Sequence, residues 1–388
     1  MINYGKHFVD KKDIISVAKI LNSKWLTQGP NIEKFEKAIK NKFGANYCCA
    51  VASGTAALHL TGLALGWKSK DIVLTSPISF IASSNSIIYA GATPDFVDID
   101  STNYNIDLIK LEKKIKLHFS KGRKVVAVVA TDYAGHPCDW ENLKIISKKY
   151  KLKLVNDNCH SIGANFKNND KYAAKYADIV THSYHPVKNI TTGEGGAILT
   201  NDKALFKKIS ILRSHGVTKD AKLMSKNDGP WYYEMKELGF NYRITDFQCA
   251  LGLSQLKKLN KFLKKRREIA KIYDLNFANQ SMFTIPKVRK NCKHAYHIYP
   301  LQIHFTKLDQ KKKLFKELYK KKINLQVHYI PIHLQPYYKK KYGFKKGDYP
   351  VAEKFYSQEL SLPIFYSLKK KDINKVIKLI KGFCKKNL

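Results

Sequence analysis

Short apolar runs take turns with helically spaced apolar positions along roughly the first 250 residues of the chain. Cys48 to Ala52, Leu152 to Val155 and Ala197 to Thr200 read as short buried strands. Just past Ser53-Gly54-Thr55, residues Ala56, Leu60, Leu63 and Ala64 fall on one face of a predicted helix. Strands that alternate with helices predict an α/β fold built on a largely parallel sheet. Near Leu251 the texture changes. Residues 251–280 predict one long amphipathic helix with a basic outer face, 297–305 and 324–330 predict strands, and 307–322 and 372–386 predict helices. The pattern therefore divides the chain into a large domain of residues 1–255 and a small C-terminal α/β domain of residues 256–388. The length of 388 residues suits two or three compact units.

Three places combine this pattern with reactive chemistry. In SYHPVKNITTGEGG, Lys188 precedes a Thr- and Gly-rich run, and Tyr184, His185, Pro186 and Val187 flank it without another ammonium. A lysine that condenses with an aldehyde cofactor needs a short, inflexible backbone and partial desolvation, so that its amine is neutral when it attacks. The same glycines could equally make a plain turn into the strand at Ala197. In LVNDNCHSIGA, Asp157 follows the predicted strand at its carboxyl end, where open α/β sheets collect ligands. It either caps a following helix or pairs with the ring nitrogen of pyridoxal phosphate. At an effective dielectric near 20, a carboxylate about 4 Å from that nitrogen supplies roughly 4 kcal/mol, enough to raise its pKa by about three units. In CCAVASGTAAL, a strand, a small-residue turn and a helix start make an anion site suited to a phosphate. Farther on, Phe80 in SPISFIAS either stacks on a planar ring or packs into the core.

Taken in order, SGTAAL, SPISFIAS, GATPDFVDID, LVNDNCHSIGA, SYHPVKNITTGEGG, LRSHG, GFNYRITDFQCALGLSQL and QVHYIP resemble the DegT-type sugar aminotransferases. These are pyridoxal-phosphate enzymes of fold type I, the aspartate aminotransferase fold. The resemblance runs from Tyr4 to the C-terminal helix without large gaps. NSKWLTQG, HPVKNITTGEGG and QVHYIPIH are most similar to the branch that makes UDP-4-amino-4,6-dideoxy-N-acetyl-β-L-altrosamine on the way to pseudaminic acid.

That resemblance implies roles. Lys188 becomes the Schiff-base lysine and the proton carrier, Asp157 the partner of the ring nitrogen, Phe80 the stacking ring and His160 the neighbour of the ring hydroxyl. Gly54, Thr55 and Ser183 hold the phosphate, and Asn241 reaches across a homodimer interface into the partner's site. Tyr4, Lys24, Trp25, Leu26, Thr27, Gln326, Val327, His328 and Tyr329 line the substrate pocket, with Gly54, Ser183 and Asn241 also reaching the substrate. The implied reaction moves an amino group from L-glutamate to C-4 of a UDP-linked 4-keto-6-deoxy-N-acetyl-hexose. His160 stands where many relatives carry Gln, as the altrosamine branch tends to, and His136 departs from the neutral residue expected at its position. Sugar dehydratases of the same family usually carry His at the lysine position, so Lys188 favours amino transfer over dehydration.

The net charge of +39 invites a nucleic-acid reading. Only six of the 70 basic residues are Arg, however, and Lys is spread over nearly every polar face instead of clustering with aromatics on one element. No nucleic-acid partner is expected; the charge draws anionic small molecules, and a nucleotide sugar is one. Seven Cys without CxxC spacing suggest buried thiols in a reducing cytoplasm. The pairs His182/His185 and His294/His297 lack a third ligand nearby, so no metal is expected. Neither a signal peptide nor a run of the roughly 18 apolar residues needed for a membrane span is present.

Overall fold

The computed structural model describes residues 1–388. Seven strands form the main sheet in the order Tyr47–Val51, Gly196–Thr200, Ile179–Ser183, Lys153–Asp157, Lys124–Thr131, Asp71–Thr75, Thr93–Phe96. Gly196–Thr200 runs antiparallel to both of its neighbours, and the other strands are parallel to one another. Their carboxyl ends therefore share one edge. Thr131 lies opposite Asp157 and Asp157 opposite Thr181, which sets Asp157 in the middle of that edge. Sheets covered on both faces need strands that are apolar throughout, and Ile179–Ser183 and Asp71–Thr75 are buried at every residue.

The helix after Ser53 spans Gly54–Ala64, and Ser53 Oγ caps it by accepting from Ala56 N at 3.0 Å. The one-faced pattern expected for it is too narrow. His59, Leu58 and Ala57 are buried as well, because the helix lies between the sheet and the helices Ala82–Tyr89 and Lys203–Arg213. The single helix predicted over residues 251–280 is two, Asp246–Leu256 and Leu259–Phe277. The break falls where tertiary ties override the periodicity. Gln255 Nε2 donates to Phe8 O and to Asp13 Oδ2, and Lys258 Nζ lies 2.6 Å from carboxylate oxygens of both Asp10 and Asp13.

Around the helix Leu259–Phe277 the core divides. Leu259, Phe262 and Leu263 pack into the large-sheet core, whereas Ile269, Ala270, Tyr273 and Phe277 pack with the antiparallel strands Phe283–Thr284, Tyr299–Ile303 and Glu359–Leu362. The two cores thus share this helix. Residues 324–330 do not form the predicted strand. Only Ile323–Asn324 pairs, in parallel with Ile2–Asn3, and past the isolated bridge from Gln326 to Ser361 the chain leaves the sheet. There His328 N donates to the Glu359 carboxylate in place of a strand partner.

Just beyond the Lys124–Thr131 strand lies Asp132, with no exposed surface. Its Oδ1 accepts from Cys138 N at 2.7 Å and Trp140 Nε1 at 2.9 Å, and its Oδ2 from Tyr172 Oη at 2.6 Å, Ser161 Oγ at 2.8 Å and Asn158 Nδ2 at 3.2 Å. Burial pushes this carboxyl up, and the donors oppose the shift. Deleting the carboxylate strands buried donors, each worth about 1–3 kcal/mol. Asp132→Ala should therefore lower unfolding free energy by about 3–5 kcal/mol in urea denaturation. A loss below about 1 kcal/mol would show that the donors re-pair without it.

Candidate active site

A cavity of about 840 Å³ opens at the carboxyl edge of the sheet. The large sheet contributes Gly54, Thr55, Phe80, Asp157, His160, Ser183 and Lys188 to its wall, the N-terminal segment Tyr4, and the small-domain side Gln326, Val327, His328 and Tyr329. These residues come together from distant parts of the chain because each follows a strand end or crosses the gap between the two cores.

Lys188 sits on the loop joining Ile179–Ser183 to Gly196–Thr200. The loop is cross-braced: Tyr184 O accepts from Thr192 N at 3.1 Å and Thr191 Oγ1 at 2.9 Å, Tyr184 N donates to Gly195 O at 2.8 Å, and Lys188 N donates to His185 O at 2.9 Å. Gly193, at φ +82°, takes the left-handed turn that closes it. The Lys188 ammonium is in neither a hydrogen bond nor an ion pair with the protein. Burial lowers its pKa, against the pull of Cys159 and Asp157. A partly desolvated, unpartnered amine is what condensation with an aldehyde requires.

Asp157 is buried, and its Oδ2 accepts from Ser83 Oγ at 2.6 Å, which in turn lies 2.7 Å from Ser79 Oγ. Its Oδ1 accepts from Cys159 N at 3.3 Å. No helix follows it, so the capping alternative falls away. His160 shares a hydrogen bond of 2.9 Å between Nε2 and Tyr329 Oη, while its Nδ1 is buried with no partner. Burial, with Lys188 and His328 adding to it, holds this imidazole well below its ordinary pKa and therefore neutral. Phe80 is 53% exposed at the cavity, which removes the core-packing alternative for it.

At the helix start the backbones approach closely. A Cβ on Gly54 would lie 2.8 Å from Ser183 Cβ, and one on Gly196 would lie 2.4 Å from Ser53 O. Amides of a first helical turn have no intrahelical acceptor, so Gly54 and Thr55 offer N–H groups and the positive end of the helix dipole to an anion. An aldehyde-bearing, phosphorylated pyridine fits this donor set. The helix start would suit its phosphate, the buried Asp157 carboxylate its ring nitrogen, and the unpaired Lys188 amine its aldehyde.

Tyr4 and His328 face each other at 4.9 Å between ring centroids. Lys24, Trp25, Leu26 and Thr27 do not line the cavity of their own chain. They are exposed, bound to the start of the Asp246–Leu256 helix through the Thr27–Thr245 bridge and the hydrogen bond from Asp246 N to Leu26 O. Asn241 is exposed as well, bridged to Ser214 and outside that cavity. Among the cavity residues that the sequence alone does not single out are Ser83, His297 and Lys311. His297 had been noted only as half of an i, i+3 pair with His294. In the structure the two rings part, His297 packing on His160 at 4.4 Å and His294 on His136 at 5.4 Å.

The description of the DegT/DnrJ/EryC1/StrS aminotransferase family matches residues 8–381. Over 392 aligned residues, covering 99% of this chain and all of the other, the sequence is 37% identical to a UDP-4-amino-4,6-dideoxy-N-acetyl-beta-L-altrosamine transaminase of Campylobacter jejuni. The fold superposes with a TM-score of 0.90 on Helicobacter pylori PseC, an aminotransferase involved in the biosynthesis of pseudoaminic acid, at 32% identity and 99% coverage of both chains. It superposes with a TM-score of 0.89 on Spr1654 of Streptococcus pneumoniae in its PLP-form, at 26% identity and covering 99% of this chain and 98% of the other. The cofactor of the family is pyridoxal 5'-phosphate. Gly54→Ala should press Ser183 out of the phosphate cradle and weaken cofactor binding by about tenfold or more, read as the pyridoxal phosphate released per chain after dialysis against graded cofactor. Full occupancy at wild-type cofactor concentrations would mean the cradle gives way without cost.

Proposed function

Because the chain belongs to the DegT/DnrJ/EryC1/StrS aminotransferase family and is a pyridoxal-phosphate-dependent nucleotide-sugar aminotransferase, we propose that it aminates C-4 of UDP-2-acetamido-2,6-dideoxy-4-keto-β-L-arabino-hexose with L-glutamate as donor. The observation that carries this reading is one cavity in which an unpaired lysine, a buried carboxylate and the Gln326–Tyr329 segment meet. The substrate itself rests on similarity to the altrosamine transaminase along the whole chain.

When bound, pyridoxal phosphate supplies the aldehyde that carries nitrogen between donor and sugar, and a ring that draws electrons from the carbon losing its proton. Lys188 would hold it covalently through Nζ, and the same amine would take and return the proton. Asp157 keeps the ring nitrogen protonated, its own orientation held by Ser83 and Cys159 N. His160 stays neutral and oriented by Tyr329, so that it accepts or donates a hydrogen bond without adding charge. Ser183 and the first-turn amides of Gly54 and Thr55 hold the phosphate. Tyr4, Gln326 and His328 offer polar contacts to the sugar nucleotide and Tyr329 a flat apolar wall, while Phe80 stacks on the cofactor ring.

A homodimer with shared sites completes the reading. Asn241 lies on a surface that also exposes Trp231, Met235 and Leu238, the last at 78%, and the exposed Trp25 and Leu26 belong to the segment expected to reach the sugar. Large apolar side chains exposed in this way favour a partner surface, and a second copy would bring Asn241 and Lys24 to Thr27 to the neighbouring cavity. Residues 1–255 and 256–388 then act as the cofactor-binding and the smaller closing unit.

Borohydride treatment of the holoenzyme should fix the cofactor on Lys188. Lys188→Ala should still bind it through the phosphate cradle, with turnover reduced by about a hundred- to ten-thousandfold. Mixing those chains with Asn241→Ala chains should restore activity, since one of the two sites in each heterodimer is then intact; no recovery after confirmed exchange of subunits would remove Asn241 from the partner's site. For the substrate, purified keto-sugars should compete for the enzyme with the amine product read by mass. A dTDP-linked 3-keto sugar that wins by tenfold or more in kcat/KM would leave the aminotransferase and overturn the altrosamine assignment.

A further inference from the structure

Charge in the cavity is scarce despite the basic chain. Among the lining side chains only Lys188 and Lys311 are Lys or Arg. The four imidazoles there, His160, His185, His297 and His328, are all lowered by burial and are neutral at physiological pH. If Lys188 is committed to the cofactor, Lys311 is the one cation that a single chain leaves in the cavity for a reactant.

Lys311 belongs to the helix Leu308–Lys320 and is only 6% exposed. Its Nζ donates to Tyr356 O at 2.5 Å and lies 5.1 Å from the Tyr356 ring centroid. An ammonium carries three N–H donors, and this one hydrogen bond leaves two unused. Glu359 is the carboxylate that acts on it, but both Glu359 oxygens are engaged elsewhere: Oε1 accepts from Ser361 Oγ at 2.5 Å and Oε2 from His328 N at 3.0 Å. Burial brings Lys311 down to about 8, with Glu359 opposing the shift, so the amine keeps its proton at neutral pH. Burial raises Glu359 to about 7, against the pull of Lys311. A buried ammonium with two idle donors is costly unless something arrives to use them. Both reactants of a nucleotide-sugar aminotransferase bring oxyanions.

We propose that Lys311 is an oxyanion-binding residue of the substrate cavity, receiving a carboxylate or phosphate oxygen of a reactant on the two N–H groups that the protein leaves free. This rests on the reading of the cavity as a substrate site, and it adds a cation from the same chain that carries Lys188. Lys311 lines the same cavity as the Gln326–Tyr329 segment, and Glu359, the carboxylate that acts on it, accepts from His328 N, so an anion held there shares the cavity with the wall expected to recognise the sugar.

The test uses the holoenzyme with two inert probes, UDP for the phosphate source and glutarate for the carboxylate source, titrated calorimetrically. Lys311→Met keeps the length of the stem and removes the charge. It should weaken one probe by about tenfold or more while cofactor content and borohydride labelling at Lys188 stay at wild-type levels, and Lys311→Arg should stay within about threefold of wild type. Loss confined to UDP assigns the phosphate, and loss confined to glutarate assigns the donor carboxylate. Affinities within twofold for both probes, or wild-type protein that binds neither, would overturn the proposal. Should Lys311→Met lose its cofactor, Lys311→Met/Glu359→Gln carries the same criterion, because it removes both buried charges together. Wild-type protein that binds a probe through Lys311 yet aminates no keto-sugar would sink the reaction and leave the oxyanion site standing.

Discussion

A buried carboxylate that accepts from several elements at once governs the geometry of this site. Asp132 lies one residue past the strand that ends at Thr131, and Thr131 is in register with Asp157 on the neighbouring strand. The donors that converge on Asp132 come from Cys138, Trp140, Asn158, Ser161 and Tyr172, and two of them, Asn158 and Ser161, flank the turn carrying Cys159 and His160. A charge taken out of water is tolerated only when it is fully hydrogen-bonded, and a fully bonded charge allows little alternative geometry. Asp132 does not line the cavity. It sets the positions of residues that line the cavity, and it does so through a network the surrounding sheet alone would not specify.

The electrostatic character of the cavity runs against that of the chain. Outside, lysines on nearly every polar face give a net charge of +39, a field that draws anions toward any opening. Inside, two lysines meet two carboxylates, Asp157 and Glu194, among neutral imidazoles. Attraction at long range and discrimination at short range are thus assigned to different residues. The first tolerates almost any rearrangement of surface lysines, and the second depends on individual donors in a low-dielectric wall.

How much of this was legible in the sequence follows from how local each signal is. Lys188, Asp157 and Gly54 could be read because each stands beside its own strand and turn, and the structure brings all three to the same cavity. The parallel sheet was legible for the same reason, since alternating strands and helices leave few other arrangements. The long helix over residues 251–280 was misread because its apolar period continues through Lys257 and Lys258, while the break is imposed by Asp10 and Asp13 from the far end of the chain. Lys311 was invisible for a related reason. In a helix reading KLDQKKKLFKELYKKK it is one lysine among many, and only the placement of Tyr356 and Glu359 makes it a buried one. Lys24 to Thr27 and Asn241 mark the reach of motif resemblance, which names residues that serve a site without saying which chain's site they serve.

The two halves of the cavity are joined by more than proximity. Glu359, on a strand of the small antiparallel sheet, holds His328 by its backbone N–H, and Ser361 Oγ, itself bonded to Glu359, lies 2.7 Å from His328 Nδ1. The next residue, Tyr329, reaches across to His160 on the large-domain side. Tyr133 Oη, from just past the Lys124–Thr131 strand, donates to His328 O. A segment gripped from both cores cannot follow one of them alone, so any shift of the small unit relative to the sheet must pass through Tyr329 to the imidazole expected beside the cofactor. The wall expected to meet the sugar and the imidazole expected beside the cofactor are thus tied to each other by hydrogen bonds.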